Sequence, residues 1–172
     1  ILNVWMLLFF ALTCMVSMPA RSAVFERLII LDEKTDVVEF GNKTEILFDE
    51  DGDLTLEDIS RPEIQEKFTP HNDQAVGFGF MDSVLWIKFT VLWKPTDVSQ
   101  INERQWVIEQ NTPFLDHVEM YDIGANGELK VSRAGDKQDY SDMEFQYPLH
   151  LFMTSTLPYI QKTLYMRVQT KG

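Results

Sequence analysis

Apolar and polar residues alternate with a period of two over much of this chain, most clearly between Leu85 and Trp93. Successive side chains of a strand point to opposite faces, so this stretch predicts a strand with one apolar face. The residues predicted to face the core are Leu85, Ile87, Phe89 and Val91. Trp86 and Lys88 lie on the opposite face, which is therefore either a second core layer or a surface that faces a ligand.

Further short strands are predicted along the chain, separated by turn signals: 25–31, 37–40, 45–48, 106–109, 116–122, 128–133, 147–153 and 163–169. The turn at 124–127 predicts that the strands on either side of it form a hairpin. In the last strand, Leu164, Met166 and Val168 are expected to point inward. Many short strands without alternating helices predict an all-β fold, an antiparallel jelly-roll β-sandwich, and exclude a parallel α/β fold.

One helical insertion is predicted, over residues 55–67. Thr55 followed by Asp58 is typical of a helix start, and Ser60 with Pro62 indicates a second start. The apolar residues expected to anchor this segment to a sheet are Ile59, Ile64 and Phe68.

The first 22 residues predict a signal peptide, because an apolar run at 4–16 is followed by Pro19 and small residues. The run is shorter than the roughly 20 residues that a membrane-spanning helix needs; an uncleaved anchor or a buried helix is the alternative. Residues 23–34 are then an N-terminal extension or first strand, and 35–172 form the domain. The missing initiator methionine and the abrupt end after the last strand lead us to expect a piece of a longer protein.

Composition and charge narrow the range of function classes that this chain can have. With 172 residues the chain is long enough for one domain with a sizeable core, and its net charge of −12 argues against a nucleic-acid partner. Cys14 is the only cysteine and lies in the leader, so no disulfide or thiol chemistry is expected. His71, His117 and His150 are widely spaced and predict no metal site. No nucleophile motif occurs, so the sequence predicts neither a cofactor nor enzyme activity in this segment.

An ordered series of segments carries a resemblance to a known family: 47–49, 54–59, 82–89, 106–109, 115–121, 135–136 and 164–169. The series resembles the type 2 extracellular domain of bacterial seven-transmembrane receptors with diverse intracellular signalling modules, over roughly residues 35–172. The resemblance implies a jelly roll similar to carbohydrate-binding modules, on the periplasmic face of the inner membrane. It also implies a transmembrane region and a cytoplasmic output module after this domain, commonly a diguanylate cyclase or a histidine kinase.

Four residues are candidates for binding a ligand: Trp86, Lys88, Tyr165 and Arg167. A Trp on a sandwich face stacks on the apolar side of a sugar, or else anchors the core. Lys88 holds an anionic or hydroxylated ligand, or extends to solvent. Arg167, which shares a face with Tyr165, forks to a ligand carboxylate or pairs internally with an acid such as Glu109 or Asp116.

The function predicted from these observations is a ligand-sensing input domain of a membrane receptor, with a carbohydrate as one candidate ligand. A carbohydrate-binding module of a secreted glycosidase shares the fold and is the alternative. A purely structural adhesin or assembly domain is a third possibility.

Overall fold

The computed structural model describes residues 27–76, 82–97, 99, 101–112, 114–145, 147 and 149–170. The predicted signal peptide lies outside these residues. Nine strands and two short helices are described: β1 Ile29–Leu31, β2 Glu45–Asp49, α1 Leu56–Ile59, α2 Pro62–Gln65, β3 Thr69–Pro70, β4 Val84–Trp93, β5 Arg104–Gln110, β6 His117–Ile123, β7 Leu129–Ala134, β8 His150–Thr156 and β9 Gln161–Gln169. The prediction of an all-β sandwich with a short helical insertion is confirmed.

The larger sheet has the strand order β3-β2-β4-β9-β6-β7, in which every neighbour is antiparallel. The ten-residue β4 lies near its centre and offers one edge to two strands. β2 pairs with the first half of that edge, through Val84–Lys88, and β1 pairs in parallel with the second half, through Val91–Trp93. Among the described residues the smaller sheet has two strands, β5 and β8.

The main core fills the space between the two sheets. The predicted inward residues of β4 and β9 are all buried there, which confirms the alternation seen in the sequence. Val118 and Met120 of β6 extend the core along the larger sheet, and Ile108 and Phe152 face them from β5 and β8. We call this side of the larger sheet its inner face.

A second apolar cluster covers the opposite, outer face of the larger sheet. It joins α1, α2 and the segment after them to β2 and β4, and its buried members are Leu47, Ile59, Phe68, Val84 and Trp86. Thr55 caps α1 in a reciprocal capping box with Asp58, as predicted. Ser60 does not cap the second helix, because its hydroxyl donates back to the Leu56 carbonyl and α2 begins after Arg61, with Pro62 in its first turn.

The predicted hairpin is confirmed, with β6 paired to β7 from Val118↔Ala134 to Ile123↔Leu129. Gly127 closes its turn at a φ of 81°, which glycine adopts without strain. The predicted strand at 147–153 begins instead at His150 and ends at Thr156.

The predicted strand at 37–40 is wrong. This segment has no ladder partner among the described residues and leads into a 3-10 turn at Gly41–Lys43. Its apolar residues do not all turn inward, since Val37 is 88% exposed. The segment instead forms one wall of an opening between the sheets.

The two sheets are linked on the β7–β8 side by one carboxylate. Glu144 accepts from Lys130 Nζ (2.6 Å) and the Ser132 hydroxyl (3.0 Å) of β7, and from the Met153 N–H (3.2 Å) of β8. We call this the Glu144 clamp. The sandwich is open on the opposite side, beside β5.

Candidate functional site

The structure brings the four predicted binding residues together on the outer face. Trp86 pairs across strands with Arg167, and Lys88 pairs with Tyr165, because β4 and β9 are antiparallel neighbours. The four side chains therefore form a compact group, as directly opposed residues on one face of a sheet must. The helices α1 and α2 lie over part of this group.

Trp86 is completely buried, at 0% exposure. Its ring lies 5.4 Å from that of Tyr121 and packs in the apolar cluster under the helices. Its indole N–H finds no hydrogen-bond partner in the described part of the chain. Burial of this kind supports the interpretation of Trp86 as a core anchor, since no face of the ring is open for stacking.

Lys88 is held by protein groups. Its Nζ lies 2.7 Å from a carboxylate oxygen of Glu45, donates to Gln65 Oε1 and sits 5.0 Å from the centre of the Phe68 ring. The side chain thus ties α2 to the sheet, with its charge already balanced.

The side chains of Arg167 and Tyr165 are also bonded to other groups of the protein. Arg167 donates to the Gly52 carbonyl at 3.1 Å and lies 3.7 Å from Glu119, so the internal ion pair forms with an acid other than the two expected. The Tyr165 hydroxyl accepts from Gln65, and burial raises the pKa of this phenol. Burial likewise raises the pKa of Tyr121, whose hydroxyl donates to Glu119.

Lys88 and Tyr165 therefore tie α2 to the sheet through Gln65, while Trp86 packs in the apolar cluster beside them. Binding of a ligand by these four residues stays a prediction, and it requires α1 and α2 to move. The sequence showed the residue types and their shared face, whereas the partners that occupy them come from distant segments.

A different feature is open to solvent: a cleft of about 560 Å³ on the β5 side of the sandwich. Its floor is formed by apolar side chains of β1 and β4 on the inner face of the larger sheet, which are themselves buried, at 2–5% exposure. The floor residues are Ile29, Leu31, Ile87, Phe89 and Val91.

The walls of the cleft are two runs of consecutive residues, Thr35–Gly41 on one side and Trp106–Asn111 on the other. Side chains of a strand alternate between its faces, so six successive residues can line a cleft only if it follows the edge of the strand. The cleft thus runs along the edge of β5, whose other edge is occupied by β8.

The lining of the cleft is acidic around an apolar floor. Its described residues include Asp36, Glu39 and Glu109 and no Lys, Arg or His. No ion pair or hydrogen bond joins these three side chains to another described residue, whereas Glu45 and Glu119 on the outer face have basic partners. Cationic or hydrogen-bond-donating ligands are favoured by such a lining.

Trp106 stands at one end of this cleft. Its ring makes an edge contact with Trp93 (centroids 5.5 Å apart), lies 5.0 Å from the Arg104 guanidinium carbon, and its N–H donates to the Thr156 hydroxyl. The two tryptophans therefore pack against each other at the base of the loop between β4 and β5.

The described residues hold no group of three or more His, Cys, Asp and Glu side chains arranged for a metal ion. None of the helices in the described ranges has the length and apolarity that crossing a bilayer requires.

The fold and the cleft define a β-sandwich module with an open cleft along the edge of β5. The profile of the family described as 7TMR-DISM extracellular 2 matches residues 41–172, and the chain belongs to this family. It is therefore an extracellular sensing input domain of a seven-transmembrane receptor, on the periplasmic face of the membrane. No curated protein matches the chain significantly.

Proposed function

We propose that this domain senses its signal by binding a ligand in the cleft beside β5. The observation that carries the proposal is the cleft itself, which has apolar residues at its floor and polar walls, the usual composition of a binding site. A ligand with higher affinity for one arrangement of the two sheets shifts the population toward that arrangement. β9, which lies between β4 and β6 in the larger sheet, links any such shift to the end of the domain.

A carbohydrate is the finer prediction that the family resemblance raised. Amide and carboxylate groups, which bond sugar hydroxyls, surround the cleft at Asp36, Gln74, Gln110 and Asn111. Trp106 supplies an aromatic surface, although Trp93 and Arg104 already contact its ring. The polar walls therefore favour a hydroxylated ligand more than stacking does.

The test is a thermal-shift series on the purified chain with neutral hexasaccharides, cellohexaose and xylohexaose among them, and with short peptides. A ligand that binds only the folded state raises the Tm. Ala75→Trp fills the cleft from an exposed position, and Ile160→Trp places the same side chain at an exposed position outside it.

At least one probe is expected to raise the Tm of the wild type and of Ile160→Trp but not of Ala75→Trp. A shift that Ala75→Trp retains in full, or no shift with any probe, contradicts the proposal.

A further inference from the structure

One edge of β5 has no partner strand in the described part of the chain. In an antiparallel pair, the N–H and C=O groups of alternate residues point away from the partner strand. β5 pairs with β8 through all seven of its residues, and no further strand of the described chain joins its other edge. That edge therefore presents a row of backbone donors and acceptors to the cleft.

The opposite edge of the smaller sheet, which β8 forms, is covered by charged side chains. There the Glu144 clamp takes the Met153 N–H of β8, and Lys130 Nζ donates to the Met153 carbonyl. Covering an edge with charged side chains prevents strand addition. The described residues give β5 no such cover.

The floor has the spacing that a strand needs. Ile87, Phe89 and Val91 are alternate residues of β4, about 6.6 Å apart in succession, and they are the apolar groups below the cleft. An added strand would direct its own alternate side chains toward this floor, against which Phe40 and Trp106 also pack. The side chains between them would point outward, near Asp36, Glu39 and Glu109.

We propose that the cleft binds an extended polypeptide segment of alternating apolar and basic residues, which adds a strand to the free edge of β5. The inference rests on the proposed function, because it names the ligand class for the same cleft. Backbone hydrogen bonds supply affinity in this mode of recognition, and the floor and the acidic walls supply selectivity.

The probe is an acetylated, amidated hexapeptide of alternating valine and lysine, matched in length to the wall at Trp106–Asn111. Two further peptides carry N-methyl groups on the valines alone or on the lysines alone. All valine N–H groups lie on one edge of an extended peptide and all lysine N–H groups on the other. Binding of each peptide to the purified chain is measured by isothermal titration calorimetry.

The unmethylated peptide is expected to bind, and at least one N-methylated isomer is expected to lose about tenfold or more in affinity, since several backbone hydrogen bonds disappear. Equal binding by all three peptides overturns the inference, because charge and side chains alone would then account for the affinity.

Charge is tested with two matched triple variants of the protein. Asp36→Asn with Glu39→Gln and Glu109→Gln neutralises the cleft, and Glu57→Gln with Glu63→Gln and Glu66→Gln neutralises three exposed acids on the helical side. The first triple is expected to weaken peptide binding by about tenfold at low salt, and the second to weaken it much less. Equal losses in the two triples overturn the inference.

The ligand class is tested separately from the site. If cellohexaose or xylohexaose binds in a manner that Ala75→Trp abolishes, while the peptides do not bind, the strand-addition inference fails and the cleft remains a ligand site. If neither kind of probe binds, the proposed function fails as well.

Discussion

Single buried side chains determine how firmly the outer face is built, and Trp86 is the largest of them. Replacing Trp86 with Ala is expected to lower the free energy of unfolding by about 3–5 kcal/mol, since it removes a fully buried ring. Trp86→Phe is expected to cost less, because it also removes an N–H that has no partner in the described residues. Urea unfolding of the variants measures both. A folded Trp86→Ala variant with unchanged stability would contradict the core assignment.

A buried ion pair on the inner face also joins the two sheets. Lys162 of β9 pairs with Asp122 of β6 and donates to Thr154 and to the Ser155 carbonyl of β8. The side chains of the pair are only 13% and 9% exposed.

Asp122→Asn is expected to destabilise the protein by about 3–5 kcal/mol, because it leaves the Lys162 ammonium buried without a counter-charge. Adding Lys162→Met to that variant should recover much of the loss. A double-mutant cycle by urea unfolding tests the coupling. Simple additivity of the two single changes would show that the pair does not act as a unit.

At the residue scale the sequence predicted which side chains share a face, because a period of two fixes this directly. It predicted neither the burial of Trp86 nor the partners of Lys88 and Arg167. Those partners, Gln65, Glu45, Glu119 and Gly52, come from other segments that only the fold brings close.

Among the elements, the Glu144 clamp gives the fold a defined response to acid. The pKa of the Glu144 carboxyl is lowered: burial acts to raise it, but the hydrogen bonds from Lys130, the Met153 N–H and Ser132 outweigh burial. In the unfolded chain the group titrates near its ordinary value of 4.5. The folded state then binds the proton less readily than the unfolded state, so the stabilisation is present above pH 4.5 and disappears as the pH falls through the lowered value.

Glu144→Gln should therefore be less stable than the wild type at pH 7, with a difference that shrinks below pH 4.5. Urea unfolding at a series of pH values measures this difference. The pKa of His150 is also lowered, chiefly by burial, and its effect begins below its ordinary value of 6.5. Comparing the wild type with Glu144→Gln cancels that contribution. A difference that stays constant down to pH 3 would contradict the clamp.

The strands that lie in a ladder were predictable from their alternation and turn residues, as β4, β9 and the β6–β7 hairpin show. The segment at 37–40 is rich in apolar residues that favour strands, but it has no ladder partner among the described residues. Residue types of this kind indicate a half-buried, extended segment. They do not report whether a neighbouring strand is present, and for that reason the cleft could not be predicted.

At the scale of the whole molecule, the protein is a receptor input domain whose outer face and β5 side differ in kind. On the outer face α1 and α2 cover the sheet, and the charged side chains Lys88 and Arg167 are already paired with acids of the protein. The β5 side is open and acidic, and we assign ligand binding to it. Family membership identifies the class of receptor. The proposed position of the binding site follows instead from the cleft that is open along the edge of β5.

The most direct test of this assignment is amide hydrogen exchange, measured with and without a probe that raises the Tm of the wild type. We expect added protection at β5 and at the wall Thr35–Gly41, with little change at the outer-face residues Lys88 and Arg167. Protection centred on β9 and the two helices, with none at β5, would contradict the account and place the ligand on the outer face.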